Sequence, residues 1–476
     1  MSKLSSSADH TFLKIAAALG YPLYQEISER TWLSEAVYAA LLYPRRFDEI
    51  KKFFNRQAQT DSLARQTGFD KITSVTKKTT DAFIANGRWE NYRLAGFSVS
   101  LCQLTSALYF INRLKQQCPQ LVIAVGGSTL SGAVTTEFFD SFSAVDLVVN
   151  GEGELPFGRL LDYLKTTADL AAMPPIPGIV TAETAKNSRT RKGFQQLKHL
   201  HDLPSPDFDE YFKWLKSSGP QHMFIPKLPV ETSRGCWWQR TSPAGKSSGC
   251  AFCNLNLQWR GYRSKSPAQV AREIDFLTTR YQTLSVTVVD NVLPKRTSKA
   301  LFKKMAGLNK DLRMFSEIRA TTKLSELRLM AQAGVQEVQI GIEALSTALL
   351  KKLHKGTTAI QNLEIMRNCE ALGIINYSNL ILYFPGSDQQ DVIETMRSLD
   401  FAEPYRPLKT VGFWLGLGSP VWQHPELYKI KAVFNHPNWG CLFPKKVLAS
   451  MQFMIQAYRG DRVYQRKIWR PVELPG

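Results

Sequence analysis

Residues 230–254 read Val-Glu-Thr-Ser-Arg-Gly-Cys-Trp-Trp-Gln-Arg-Thr-Ser-Pro-Ala-Gly-Lys-Ser-Ser-Gly-Cys-Ala-Phe-Cys-Asn. A short candidate strand, Val230–Ser233, runs into Cys236; after a loop of 13 residues come Cys250 and Cys253. Three thiolates on one loop can hold three corners of a [4Fe–4S] cube and leave the fourth iron open. A zinc site built from the same thiolates would need His222 as fourth ligand, and His222 precedes the strand that the trio follows. A ferredoxin-like carrier would need a fourth cysteine nearby, and there is none. A loop this rich in Gly, Ser, Lys and Arg is a poor place for three core cysteines.

Downstream of the loop, apolar runs alternate with helical periodicity. Strands are expected at Val230–Ser233, Leu284–Val289, Arg313–Ile318, Glu337–Ile342, Asn376–Tyr383 and Thr410–Leu415. Helices are expected near Pro267–Arg280, Arg296–Ala306, Leu324–Ala333, Ala359–Ala371 and Asp388–Ser398. Six such units make a partial (β/α)6 barrel over 230–415, within the α/β class, with its chemistry at the carboxyl ends of the strands. Cys236 falls just beyond the first of them.

Upstream, residues 1–90 read as a helical N-terminal region. Residues 91–165 alternate β and α: strands at Tyr92–Ser98, Leu121–Val125 and Val145–Val149, helices at Leu104–Gln116 and Leu155–Lys165. That is a truncated Rossmann-like domain, with fewer strands than a free-standing doubly wound sheet. Residues 166–229, rich in Pro, Lys and Asp, read as a connecting arm with local strands, and 416–476 as a C-terminal cap and candidate substrate region.

The totals narrow the class. The 476 residues are 44% hydrophobic and 21% charged, as in a soluble globular protein. No membrane span is expected, since no run approaches 18 apolar residues. No secretory signal opens the chain, and seven scattered cysteines suit a reducing compartment, so a cytoplasmic location is expected. The net charge of +19 attracts acidic partners. No continuous Lys/Arg run with interleaved aromatics stands out, so nucleic acid is not expected as a partner.

Ser233-Arg234-Gly235-Cys236-Trp237-Trp238, the Cys250-Ala-Phe-Cys253-Asn-Leu-Asn segment and Tyr262-Arg-Ser-Lys-Ser-Pro267 together resemble radical SAM enzymes that mature ribosomally made peptides. The resemblance continues through Val289-Asp290-Asn291, Phe315-Ser316-Glu317, Gln339-Ile-Gly-Ile-Glu343, Lys355-Gly356 and Phe384-Pro-Gly386. Before the barrel, Gly126-Gly127 and Gly151-Glu152-Gly153-Glu154 also match. One departure is the long first gap, so residues 239–249 look like an inserted loop. The resemblance implies a [4Fe–4S] cluster on Cys236, Cys250 and Cys253, with S-adenosyl-L-methionine on its open iron. It also implies cofactor contacts from Phe252, Asp290, Asn291, Glu317, Glu343 and Ser387, and a reductant such as flavodoxin or ferredoxin.

Within that family, cobalamin-dependent peptide C-methyltransferases carry a complete Rossmann-like sheet. Here the sheet is truncated, which makes cobalamin unlikely. The pattern is most like the proteusin-type epimerases, which invert L-residues of a leader-bearing precursor peptide. Inversion demands a second hydrogen donor, for which a thiol is suited. Cys102, Cys118 and Cys369 read as packing cysteines. Cys441, in His436-Pro-Asn-Trp439-Gly-Cys441, lies on a loop expected to fold over the site and is the candidate catalytic donor. Leader binding is expected from residues 1–90 or from the basic C-terminus.

Overall fold

The structure, a computed structural model, describes residues 14–130, 136–167, 169–186, 194–217, 225–241, 247–255 and 259–473. His222 and residues 242–246 of the inserted loop lie outside the described residues. The chain divides into two compact units, 1–197 with 435–455, and 198–434 with 456–476. Among the described residues no helix is long and apolar enough to cross a membrane.

In the first unit, the N-terminal region is helical, as expected. Its principal helices are α1 (Thr31–Leu42), α2 (Phe47–Gln57) and α3 (Phe69–Asn86). On α2, Ile50, Phe53 and Phe54 recur at helical spacing and are buried. Asp48 and Glu49 open that helix and Arg56 ends it, each complementing the helix dipole. Beyond them come β1 (Leu94–Ser98), α4 (Leu104–Gln117), β2 (Val122–Gly126), β3 (Leu147–Val149), α5 (Glu154–Thr166) and β4 (Ile179–Thr181). The sheet order is β1-β2-β3-β4, with the first three strands parallel and β4 antiparallel to β3. One of the local strands expected in the connecting arm thus joins this sheet as its fourth strand.

The carboxyl ends of these strands are closed by the chain itself. Buried Glu35 of α1 accepts hydrogen bonds from the backbone N–H of Leu104 (3.1 Å) and Thr105 (2.8 Å), capping the amino terminus of α4. Burial pushes its carboxyl pKa up, against those bonds. Ser34 donates to the carbonyl of Cys102 in the β1–α4 loop. Beyond β2, Gly127 has φ +98°, and a side chain there would meet the Val99 backbone at 2.5 Å. Beyond β3, a side chain at Gly151 would meet the Gln195 carbonyl at 2.3 Å, while Glu152 accepts from Leu197 N–H at 2.7 Å. Both glycines are needed for close backbone approach.

In the second unit, six parallel strands form one sheet. They are β5 (Leu228–Val230), β6 (Ser285–Val288), β7 (Arg313–Arg319), β8 (Val335–Glu343), β9 (Ile375–Leu382) and β10 (Lys409–Gly412). They pair in the order β10-β9-β8-β7-β6-β5. The helices between them are α6 (Pro267–Tyr281), α7 (Ser298–Ala306), α8 (Leu324–Gln332), α9 (Ala359–Ala371) and α10 (Gln389–Ala402). Local chemistry fixes their starts: Ser266 caps α6 ahead of Pro267, and capping boxes join Thr358 to Gln361 and Asp388 to Asp391. This is the expected partial barrel. A last helix, α11 (Arg462–Glu473), also belongs to this unit.

The segment 416–476, read as one cap, is divided between the units. The loop expected around Cys441 is the short helix Asn438–Leu442, built into the first unit. The physical reason is Trp439. Its buried ring stacks on Phe453 at 4.5 Å and meets Trp32 edge-on at 5.0 Å, and its indole N–H donates to the Ile455 carbonyl.

Candidate cofactor site in the barrel unit

Cys236 follows β5 by way of a two-residue strand, Ser233–Arg234, which pairs with Arg263–Ser264. Between them Gly235 has φ +84°, and a side chain there would meet the Gly261 carbonyl at 2.2 Å. Cys250 and Cys253 share a tight turn, with the Cys253 N–H donating to the Cys250 carbonyl at 3.1 Å. All three thiols are free. Burial pushes the Cys253 thiol up to about 12, and the neighbouring Cys250 and Cys236 add to that rise. Cys236 and Cys250 thus lie near enough to Cys253 to feel its charge.

Among the described residues, no three His, Cys, Asp or Glu side chains are gathered closely enough for a single metal ion. A zinc ion draws its thiolates to about 2.3 Å from one centre, whereas a four-iron cube holds each cysteine on a separate iron. Three free cysteines on one loop fit the larger group, whose positive irons would favour their thiolate forms.

A turn from the β8–α9 connection anchors the cysteine loop. The Ala251 N–H donates to the Leu353 carbonyl (2.9 Å), and the Trp238 indole donates to the His354 carbonyl (2.9 Å). Gly356, at φ +68°, lies against Trp238 so closely that a side chain there would sit 2.1 Å from the ring. Arg319 donates to the Lys355 carbonyl, and its guanidinium lies 4.4 Å from the Trp238 ring centroid.

Lys355 is buried, with its ammonium 3.0 Å from Glu343 and 5.8 Å from the Phe252 ring centroid. Burial alone would lower its pKa, but Glu343 and Cys250 outweigh that, and the net shift is upward. The ammonium therefore stays charged beside the cysteines. Glu343 sits at the carboxyl end of β8 with φ +60°, next to a register shift against β9. A non-glycine residue held in that region stores strain, a feature concentrated at functional sites. Burial raises the Glu317 carboxyl pKa, as do the nearby Glu343 and Asp290, while Lys355 opposes them. Glu317 and Glu343 are thus brought together.

Phe252, Cys253 and Glu343 line a cleft of about 250 Å³ with Asn379, Val411 and Trp414. The sequence reading gave no role to Lys355, Asn379 or Trp414. Lys355-Gly356 was visible only as part of the family resemblance.

Of the remaining expected cofactor contacts, Asp290 and Ser387 are engaged by the protein's own groups. Buried Asp290 accepts from Thr232 N–H (2.7 Å), the Thr232 hydroxyl and the Ser233 hydroxyl (2.6 Å). Both its oxygens are engaged in positioning the segment that leads to Cys236. Burial pushes its pKa up to about 6 despite those bonds. Ser387 is likewise sealed inside the unit: its hydroxyl receives the Trp469 indole N–H at 2.9 Å and donates to Gln465, both on α11. Asn291 is half-buried in the turn after β6.

Outside the trio, Cys118 and Cys369 are buried. Cys102 is half-buried and its thiol donates to Thr31 at 3.3 Å. Cys441 is half-buried in the first unit, 4.0 Å from an Arg56 guanidinium nitrogen.

Comparison with known proteins agrees with this geometry. The chain is 26% identical to an uncharacterized methyltransferase of Pyrococcus horikoshii over 276 residues, covering 54% of each. In fold it is similar to the cobalamin-dependent S-adenosylmethionine radical enzyme OxsB, solved with aqua-cobalamin bound (TM-score 0.61, 18% identity, 81% of this chain and 58% of that one). It is also similar to the radical S-adenosylmethionine methyltransferase TsrM from Kitasatospora setae (TM-score 0.58, 16% identity, 83% and 80%). The chain spans about half the length of the curated relatives it matches. The family model described as Radical SAM superfamily matches residues 231–399, the segment that carries the cysteine trio, Glu317, Glu343 and Lys355. Residues 231–399 are therefore the part of the chain that matches the radical SAM superfamily.

Proposed function

We propose that this protein is a corrin-independent radical SAM peptide epimerase, which inverts L-residues to D-residues in a ribosomally made precursor peptide. The observation that carries this reading is the closed end of the first unit's sheet. In doubly wound sheets, ligands enter a crevice where the strand order reverses, beyond the carboxyl ends of the strands. The order β1-β2-β3-β4 has no reversal among the described residues. Glu35 occupies the amino terminus of α4, the usual place for an anionic ligand group, and residues 195–197 pack beyond β3. A corrin and its nucleotide tail would have to displace both.

When bound, a [4Fe–4S] cluster on Cys236, Cys250 and Cys253 with S-adenosylmethionine supplies a carbon-centred radical that removes one hydrogen atom. The protein's residues organise that event. Glu343 and Glu317 offer carboxylates to the cofactor's ammonium and hydroxyl groups, Lys355 offers a cation to its carboxylate, and Phe252 covers one side of the cleft. Inversion then needs hydrogen returned to the opposite face of the substrate's Cα. We assign that step to Cys441, which like Cys102 is half-buried, whereas Cys118 and Cys369 are buried. Its S–H bond breaks as the new Cα–H bond forms. The sulfur radical left behind takes one electron and one proton, the electron from a reduced flavodoxin or ferredoxin.

A second reading, a cobalamin-dependent peptide C-methyltransferase, is favoured by the relatives, several of which bear methyltransferase names. Cofactor content separates the two. Protein purified without oxygen after growth with added cobalamin should contain iron and sulfide and no corrinoid absorption. Stoichiometric corrinoid would select the methyltransferase.

A further inference from the structure

We propose that the face formed by Lys295, Arg296 and helix α7 is the docking surface for a small acidic one-electron carrier that reduces the cluster. This rests on the radical SAM reading of the cysteine trio. From Asn291 to Lys310 the chain holds no acidic residue. Within it Lys295, Arg296, Lys299, Lys303 and Lys304 are all exposed. The helix turns Leu301, Phe302 and Met305 into the core, leaving Lys299 and Lys303, four residues apart, on its outer side. None of the five cations forms an ion pair with a described residue; Glu326, which accepts from the Ser298 hydroxyl at the start of α7, is the carboxylate placed against this helix, and five cations outnumber it.

The patch reaches the cysteine loop through one side chain. The Lys295 ammonium lies 5.0 Å from the ring centroid of Trp237, the residue directly after Cys236. The Trp237 indole N–H donates to the Leu293 carbonyl at 3.0 Å, fixing the ring against the start of the patch. The half-buried Trp237 thus lies between a net cationic surface and a candidate cluster ligand. A carrier docked there would give up one electron, and the cluster would gain it. The required charge is negative, because opposite fields steer encounter and raise association rates by ten-fold or more at low salt.

The test uses full-length protein with its cluster assembled, Arg296→Glu, Lys299→Glu and Lys303→Glu combined, and purified reduced flavodoxin as the probe. Cluster reduction is followed by stopped-flow absorbance at low and high salt. In the variant, the second-order rate should fall at least about ten-fold at low salt, and its salt dependence should flatten or reverse. Reduction by dithionite and the folded-state melt should stay unchanged, since the substituted side chains are exposed. Wild-type rates with wild-type salt dependence in the variant would overturn the proposal. So would an unchanged carrier rate accompanied by loss of precursor-peptide binding, which would assign the face to substrate. A wild-type chain that assembles no cluster would refute the underlying reading, and the docking face with it.

Discussion

At the residue scale, the site turns on two buried groups with opposite pulls. Lys355 is held by Glu343, and removing a partner from a buried pair costs about 3 kcal/mol or more. Lys355→Met should therefore lower stability by roughly that amount in a urea titration, with partial rescue by Lys355→Arg. A loss below about 1 kcal/mol would show that the pair is not buried as described. Asp290 provides a pH dependence. Its carboxyl titrates near 6 when folded, against an ordinary value of 3.8. The folded state thus binds more protons than the unfolded one between those values, and this group's contribution to stability falls as pH rises from about 4 to about 6. Denaturation midpoints of metal-free protein across that range should show the decline, and Asp290→Asn should flatten it. Neither group's role was legible in the sequence. A lysine is ordinarily a surface residue, and an aspartate at a strand end gives no sign of whether it faces a ligand or its own backbone.

At the scale of elements, most of the barrel was legible. Its strands are apolar runs separated by amphipathic helices, and the expected bounds mostly fall within a few residues of those observed. The misses have physical causes. Local strands were expected in the arm, but Ile179–Thr181 was not located, being too short to show a period. The helix Asn438–Leu442 is preceded by Pro437 and contains Gly440, which disguise it as a loop. Its packing against α1 and α2 also depends on contacts hundreds of residues apart. Two substitutions test the element-level account. Gly356→Ala must adopt a left-handed backbone and push Trp238 aside, so its iron content after reconstitution should fall well below wild type. Iron content equal to wild type would mean that the 353–356 turn does not anchor the cysteine loop. Glu35→Ala leaves two buried N–H groups of α4 unpaired, at about 2 kcal/mol, measurable as a shift in thermal midpoint. An unchanged midpoint would remove Glu35 as the cap that closes the sheet.

At the scale of the molecule, the cysteine trio names the chemistry available and leaves the reaction open. The choice between inversion and methylation depends on the first unit, where the glycine pairs Gly126-Gly127 and Gly151-Glu152-Gly153 survive. In this structure Gly127 and Gly151 serve close backbone approach at strand ends that the chain itself fills. The sequence reading expected a truncated sheet and did not anticipate that the chain closes its strand ends. Glu35 lies about 70 residues before the helix it caps. The donor assignment stands or falls separately. Cys441→Ala should abolish inversion while leaving S-adenosylmethionine cleavage intact, and Cys102→Ala should invert normally. Efficient inversion by the Cys441 variant would remove it from the mechanism.

The most direct measurement is turnover of a candidate precursor peptide, co-expressed with this protein in deuterated water, followed by mass and chiral amino-acid analysis. The account predicts D-residues that each carry one deuterium at Cα, with no added methyl group. Methylated L-residues without deuterium at Cα would contradict it.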